Sequence, residues 1–269
     1  MTTSEGARLA QIIRQKVDEF KQVCQGMDEN LAGRAPAGKW SPKEIVSHLC
    51  GPEGKGHMPT IRAILDQGLI GNLYYGECSY NHGIGPWYKQ YAWNVKKRMA
   101  GSAELTAGCH ALDGLIWFMG SRVVEVAAMS NTSPKNPLKY EYDPNSIAIL
   151  RFANGAIGKV QTSIECRMPY TFPVRLQGDR GAISNDQLSL VDWPSTQGWA
   201  KIPAALPDSG DVSDHPYRGQ FQYFIDCIRK NSRPHNDLKA AAHTHEVCFA
   251  IQDAIQSKKT VKVKRTAGT

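Results

Sequence analysis

Ser146-Ile-Ala-Ile-Leu-Arg-Phe152 sets the reading of the chain. Its residues alternate with a period of two, the pattern of a strand whose successive side chains point to opposite faces. Asn154-Gly155 follows, a pair that tolerates positive φ and closes hairpins, and Ala156 to Cys166 returns as the partner strand. Downstream, Pro173 to Gln177 reads as a third strand, Gly178-Asp-Arg-Gly181 as a turn and Ala182-Ile-Ser184 as the start of another strand. Upstream, Val123 to Ser130 and Leu73 to Tyr80 read as strands, separated by an aromatic, Gly-rich loop (Asn81 to Asn94) and by Ala103 to Met119, which is apolar at helical period with Gly120 as its stop.

Helices are expected on both flanks. Met58 to Gln67 ends at Gly68, and Gln220 to Lys230 and Asp237 to Ser257 are amphipathic, with Val261 and Val263 as a short final strand. Between them Asp192 to Pro216 holds four prolines and no apolar period, which predicts a long surface segment. Near the start, Glu5 to Gln25 places Leu9, Ile12, Ile13, Val17, Phe20 and Val23 at helical spacing. Ser41-Pro42 with Glu44 forms a capping box for a helix to Leu49. Gly51, Pro52, Gly54 and Gly56 punctuate the joint that follows, dividing the chain into a helical segment (1–58) and a second unit (59–269). Helices, then strands, then helices is an α+β order; a doubly wound parallel sheet would alternate regularly.

Composition excludes several classes. With 41% hydrophobic and 21% charged residues, the 269-residue chain can bury a sizeable core. Its net charge of +7 lies partly in Lys96-Lys97-Arg98 and in the tail from Lys258 to Arg265, without the stacking aromatics a nucleic-acid surface needs. Seven cysteines stand at irregular spacing with no CxxC pair, which fits reduced thiols in the cytoplasm and argues against a zinc site. The polar start has no signal-peptide pattern, and no apolar run is long enough to span a membrane.

Two stretches could carry chemistry. In Thr106-Ala-Gly-Cys-His110-Ala-Leu-Asp113, His110 and Asp113 lie three apart on a helix and share a face. A neutral imidazole there can accept a hydroxyl proton and Asp113 can orient it, and Gly108 permits close approach of a ligand or another backbone. The plainer reading is a hydrogen-bonded core histidine. The loop His82-Gly-Ile-Gly-Pro-Trp87-Tyr88-Lys-Gln-Tyr91-Ala-Trp93, with Lys96 and Lys97 behind it, offers rings and polar donors to a carbohydrate. It would serve an oligomer contact equally well.

The run Ala107-Gly-Cys-His-Ala-Leu-Asp-Gly-Leu-Ile-Trp117 is similar to the Gly-x-His-x-x-Asp segment of Gfo/Idh/MocA oxidoreductases. Leu65 to Leu73, Phe152 to Gly158, Leu176 to Ala182, and His215-Pro-Tyr with Phe221 and Phe224 resemble further segments of that family's second domain, in the family's order. The resemblance implies a large, mostly antiparallel sheet with helices on one face, sheet-to-sheet association into a homo-oligomer, and a sugar or polyol substrate. It also implies His110 as acid/base residue. Thr106 stands where the family has Asp; it can hydrogen-bond a substrate but cannot act as a carboxylate.

The family's Gly-rich NAD or NADP site and its Glu-Lys-Pro lysine have no counterpart in the sequence; Gly51 to Gly56 follows a helix rather than a strand. The expectation is therefore a substrate and oligomerisation unit without a Rossmann domain and without dehydrogenase activity of its own. The alternatives are a binding module serving a separate nucleotide-binding chain, or a fusion of gene fragments with no role. Gly38-Lys-Trp-Ser-Pro-Lys-Glu-Ile-Val-Ser-His-Leu49 resembles the start of a DinB-like helical bundle, which would make His48 one of three metal ligands. His57, His243 and His245 show no spacing that completes such a set, so no metal is expected.

Overall fold

The computed structural model describes residues 57–193, 198–202 and 217–264. The helices expected over Glu5–Gln25 and Ser41–Leu49, the DinB-like segment with His48, and most of the proline-rich stretch lie outside the described residues. The chain divides into two compact units, Met1–Glu53 with Ser213–Pro234, and Gly54–Val212 with His235–Thr269. Among the described residues the first unit contributes helix α5 (Tyr217–Arg229), within which the Gln222 side chain donates to Asp226 at 2.9 Å.

In the second unit, α1 (His57–Asp66) leads through Gly68 and Gly71, both at positive φ, into β1 (Leu73–Asn81). Two short helices, α2 (Tyr91–Asn94) and α3 (Lys97–Ala100), precede a π-helical turn (Glu104–Gly108) that runs directly into α4 (Cys109–Met119). Strands β2 (Val123–Asn131), β3 (Asn145–Phe152), β4 (Ile157–Ser163), β5 (Val174–Gly178), β6 (Gly181–Ser184), β7 (Gln187–Leu190) and β8 (Ala200–Lys201) follow, then α6 (Leu238–Ser257) and β9 (Val261–Lys262). All described strands share one sheet in the order β8-β7-β6-β5-β1-β4-β3-β2-β9.

The expected hairpin is β3–β4, with Gly155 at φ 90° in its turn. The sheet is mixed rather than purely antiparallel, because β1 pairs parallel to β4, with Gly76 opposite Gly158. A parallel neighbour needs a crossover connection, and the helices between β1 and β2 supply it. Helix α4 packs over β1 and β4, and α6 over β2. The strand alternation sorts β3 accordingly: Ser146, Ala148, Leu150 and Phe152 are buried beneath the helices, while Ile147, Ile149 and Arg151 face outward. Helix α4 stops at Gly120, in the left-handed region at φ 60°, and Asp237 caps α6 by accepting from the Ala240 N–H at 2.9 Å.

Candidate functional site

The helix-facing positions of β1 are Gly76, Cys78 and Tyr80, and the same alternation carries on to His82 just past the strand. Backbone bonds from His82 to Ser163 and from Ile84 to Ile164 keep this segment running beside the end of β4. Tyr80 becomes the hub of a ring cluster. Its hydroxyl shares a hydrogen bond with His82 Nδ1 at 3.2 Å, and its ring lies 5.7 Å from His110, 5.4 Å from Tyr170 and 6.3 Å from Phe172. His82 adds Tyr88 at 5.0 Å and Tyr170 at 5.1 Å. Tyr170 and Phe172 are buried and form the base; His110 is exposed, and His82 and Tyr88 are half-buried. Burial pushes the Tyr80 phenol well above its usual range, so it remains a hydroxyl donor at any ordinary pH.

The stretch read as one helix from Ala103 begins instead with the π-turn, a feature frequent at functional sites. Gly108 ends that turn because nothing larger fits: a Cβ there would lie 2.2 Å from Thr162 Oγ1 of β4. What approaches Gly108 is thus the sheet, not a ligand. Beneath the turn, buried Glu104 accepts from the Ser146 hydroxyl, and burial raises its carboxyl above the usual range. Thr106 turns its hydroxyl back to the Ser102 carbonyl at 3.1 Å, a local bond open to a threonine inside a helix. The Oδ1 of Asp113 accepts from the Thr244 hydroxyl of α6 at 2.7 Å. Three residues along a helix turn through about 300°, some 60° short of a full revolution, an offset that lets Asp113 reach α6 while His110 lies beside Tyr80.

Of the expected substrate loop, His82 and Tyr88 join the cluster. Trp87 is 62% exposed, donates its indole N–H to the Gly83 carbonyl at 3.2 Å and lies under the Arg167 guanidinium at 5.0 Å. Trp93 is exposed on the short helix α2. Lys96 pairs with Glu141 at 2.8 Å, and the Lys97 backbone N–H donates to the same carboxylate at 3.0 Å. Sequence reasoning missed Tyr80, Tyr170 and Phe172. The signal for Tyr80 was present, since it lies two residues before His82 in a strand and so shares its face; nothing local marked Tyr170 and Phe172.

The described residues offer no fit to a dinucleotide, which needs a strand entering a glycine-rich turn and then a helix N-terminus. Gly68 and Gly71 lie between a helix and a strand, and Gly178 and Gly181 between two strands. Gly83 and Gly85 follow β1, but space at their Cβ positions is taken by the Cys166 carbonyl and the Trp87 ring. Among the described residues no group of three or more His, Cys, Asp or Glu is arranged to hold a metal, and no helix is long and apolar enough to cross a membrane.

Known proteins share this architecture. A probable dehydrogenase from Thermotoga maritima superposes with a TM-score of 0.62 at 18% identity, over 77% of this chain and 62% of that one. An NAD binding oxidoreductase from Klebsiella pneumoniae gives 0.65 at 17%, over 77% and 63%. A levoglucosan dehydrogenase solved with NADH and levoglucosan gives 0.65 at 17%, over 78% and 64%. The chain thus spans less than two thirds of the length of these structures, and at such identities the likeness is one of fold. No curated protein sequence matches the chain. The family model described as GFO/IDH/MocA C-terminal domain matches residues 58–184, which hold the β1 end, the π-turn, α4 and the ring cluster. Residues 58–184, with β1 to β6 and the crossover helix α4, are thus similar to a GFO/IDH/MocA C-terminal domain, and the fold of the chain is similar to that of solved dehydrogenases.

Proposed function

We propose that the Tyr80 cluster is a sugar or polyol site, and that this chain serves as the substrate side of a Gfo/Idh/MocA-type oxidoreductase whose NAD or NADP is held by a separate nucleotide-binding unit. The observation that carries the reading is the pair of histidines, His82 and His110, both in ring contact with Tyr80, which also meets buried Tyr170 and Phe172. Rings accept the C–H face of a carbohydrate, and imidazole nitrogens accept its hydroxyl protons. His110, exposed at the first turn of α4, is the group that would take up the proton of a bound hydroxyl. The match to the family model and the levoglucosan dehydrogenase among the similar folds support a carbohydrate class. Saturation-transfer NMR with levoglucosan, myo-inositol and common monosaccharides tests it. At least one should bind saturably, and His82→Ala and His110→Ala should each weaken it by about three- to tenfold, the worth of one hydrogen bond. Absence of saturable binding across the panel, or binding indifferent to both changes, would refute the site.

The uncovered face of the sheet is the surface through which the chain would form a homodimer. Met129 and Ile149 there are 78% and 59% exposed, with Ile147 and Ile157 close behind. Cross-strand register joins them, Met129 opposite Ile147 and Ala127 opposite Ile149, into one apolar strip. Light scattering at micromolar concentration should give twice the 29.7 kDa chain mass, and Ile149→Lys should return the monomer. A monomeric wild type would end this part of the reading.

A further inference from the structure

A cavity of about 320 Å³, whose lining includes none of the Tyr80 cluster, opens between the C-terminal half of α4 and the first turns of α6. Its lining carries charges of both signs, Asp113 against Arg122 and Lys239, together with Trp117, His235 and Asn236. The Trp117 and His235 rings stack at 4.7 Å, nearly parallel. Partial covering holds His235 below its usual range despite the pull of Asp113, so near neutral pH the positive charge of the cavity is that of Arg122 and Lys239.

Both poles are fixed from behind by buried groups. Arg122 donates to Glu246 at 3.0 Å, and the same carboxylate oxygen accepts from His243 Nδ1–H at 3.2 Å. The tautomer follows from the other nitrogen, because His243 Nε2 accepts from the Val123 backbone N–H at 3.1 Å. The Glu246 and His243 side chains are only 5% and 4% exposed, against 33% for Arg122. Asp113, which lines the cavity, is likewise held by the hydroxyl of buried Thr244 on its Oδ1. A mobile surface ion pair has no such backing; supports of this kind are what a binding site requires to keep its groups in place.

We propose that this cavity binds a small hydroxy-carboxylate, a sugar acid being the class that fits, with its carboxylate on Arg122 and Lys239 and its hydroxyls on Asp113 and Asn236. A guanidinium and an ammonium together select an anion. An acceptor-only carboxylate opposite them selects hydroxyl donors and disfavours a second anionic group. The volume suits one monosaccharide-sized molecule, at the lower end for ligand sites.

The test is calorimetric titration of the full chain with D-gluconate to about 10 mM, with D-glucitol and acetate as the neutral and hydroxyl-free probes. Gluconate should saturate, and in the His82→Ala/His110→Ala double variant, which removes the proposed polyol site at Tyr80, each control should bind about tenfold or more weakly than gluconate, as expected for loss of a charge-assisted contact. Lys239→Ala, at an exposed position, and Asp113→Asn should each weaken gluconate by about tenfold, whereas His82→Ala should leave it unchanged. No saturation, equal binding of glucitol in the double variant, or indifference to Lys239→Ala would overturn the proposal. So would loss of binding in His82→Ala, which would move the ligand to the Tyr80 cluster.

Discussion

Leu115→Ala is expected to lower the free energy of unfolding by about 3–5 kcal/mol, the upper part of the range for a leucine deleted from a rigid core. Leu115 is fully buried, and its position explains why the cost should be high. Gly76 and Gly158 stand directly opposite each other on β1 and β4. Built Cβ atoms at the two glycines would lie 2.8 Å and 3.2 Å from the Leu115 methyls. The paired glycines therefore leave a notch in the sheet, and the leucine of the crossover helix fills it. Truncation empties a space bounded on one side by backbone, which cannot move inward to close it. Urea unfolding should show the midpoint fall with the slope unchanged, and Ile149→Ala on the outer face should cost less than about 1 kcal/mol. A loss below about 1 kcal/mol for Leu115→Ala would mean that α4 is not seated in the notch.

The same notch marks the boundary of what could be read in advance. The β3–β4 hairpin was legible because its signal is local: alternation in Ser146–Phe152, a turn pair, and a returning strand. The end of α4 and the limits of α6 were legible for the same reason, with Gly120 and Asp237 as punctuation. The parallel pairing of β1 with β4 was not, since it joins Gly76 to Gly158 across the whole α4–β2–β3 excursion and no local pattern encodes it. Nor was the π-turn, which inserts its extra residue where Gly108 must pass Thr162, a contact set by the sheet. Strand β7, Gln187-Leu-Ser-Leu190, was too short to show a period.

The site divided along the same line. His110 and His82 stood out by residue type, but the residue that brings them together, Tyr80, was hidden in the regular alternation of a strand. Asp113 was visible, while its partner Thr244 is far along the chain on α6, so spacing alone tied Asp113 to His110. Lys96 and Lys97 lay near the loop in sequence, and Glu141, also distant, takes the Lys96 ammonium and the Lys97 backbone N–H. In each case the missing information was a long-range partner, which side-chain chemistry makes necessary but does not locate.

Glu246→Ala carries the second large effect, a loss of about 3 kcal/mol. The carboxylate is the common acceptor for His243 and Arg122, and the two would suffer differently. Arg122 is a third exposed and can regain water, so its share is modest. His243 is buried with its other nitrogen committed to Val123, and its Nδ1–H would lose the Glu246 carboxylate away from solvent, which is the costly outcome for a buried donor. Glu246→Gln should separate these contributions, because the amide oxygen can still accept from His243 while the charge opposite Arg122 is gone; its loss should be about 1 kcal/mol. If the two substitutions cost the same, the charge rather than the histidine bond dominates and the assignment of the tautomer is wrong. The alanine change should also weaken gluconate, although Glu246 is buried behind the cavity wall, because it frees Arg122 to leave the position a carboxylate would meet. A stability loss with gluconate affinity intact would make the His243–Glu246–Arg122 chain a latch between α6 and β2 and nothing more.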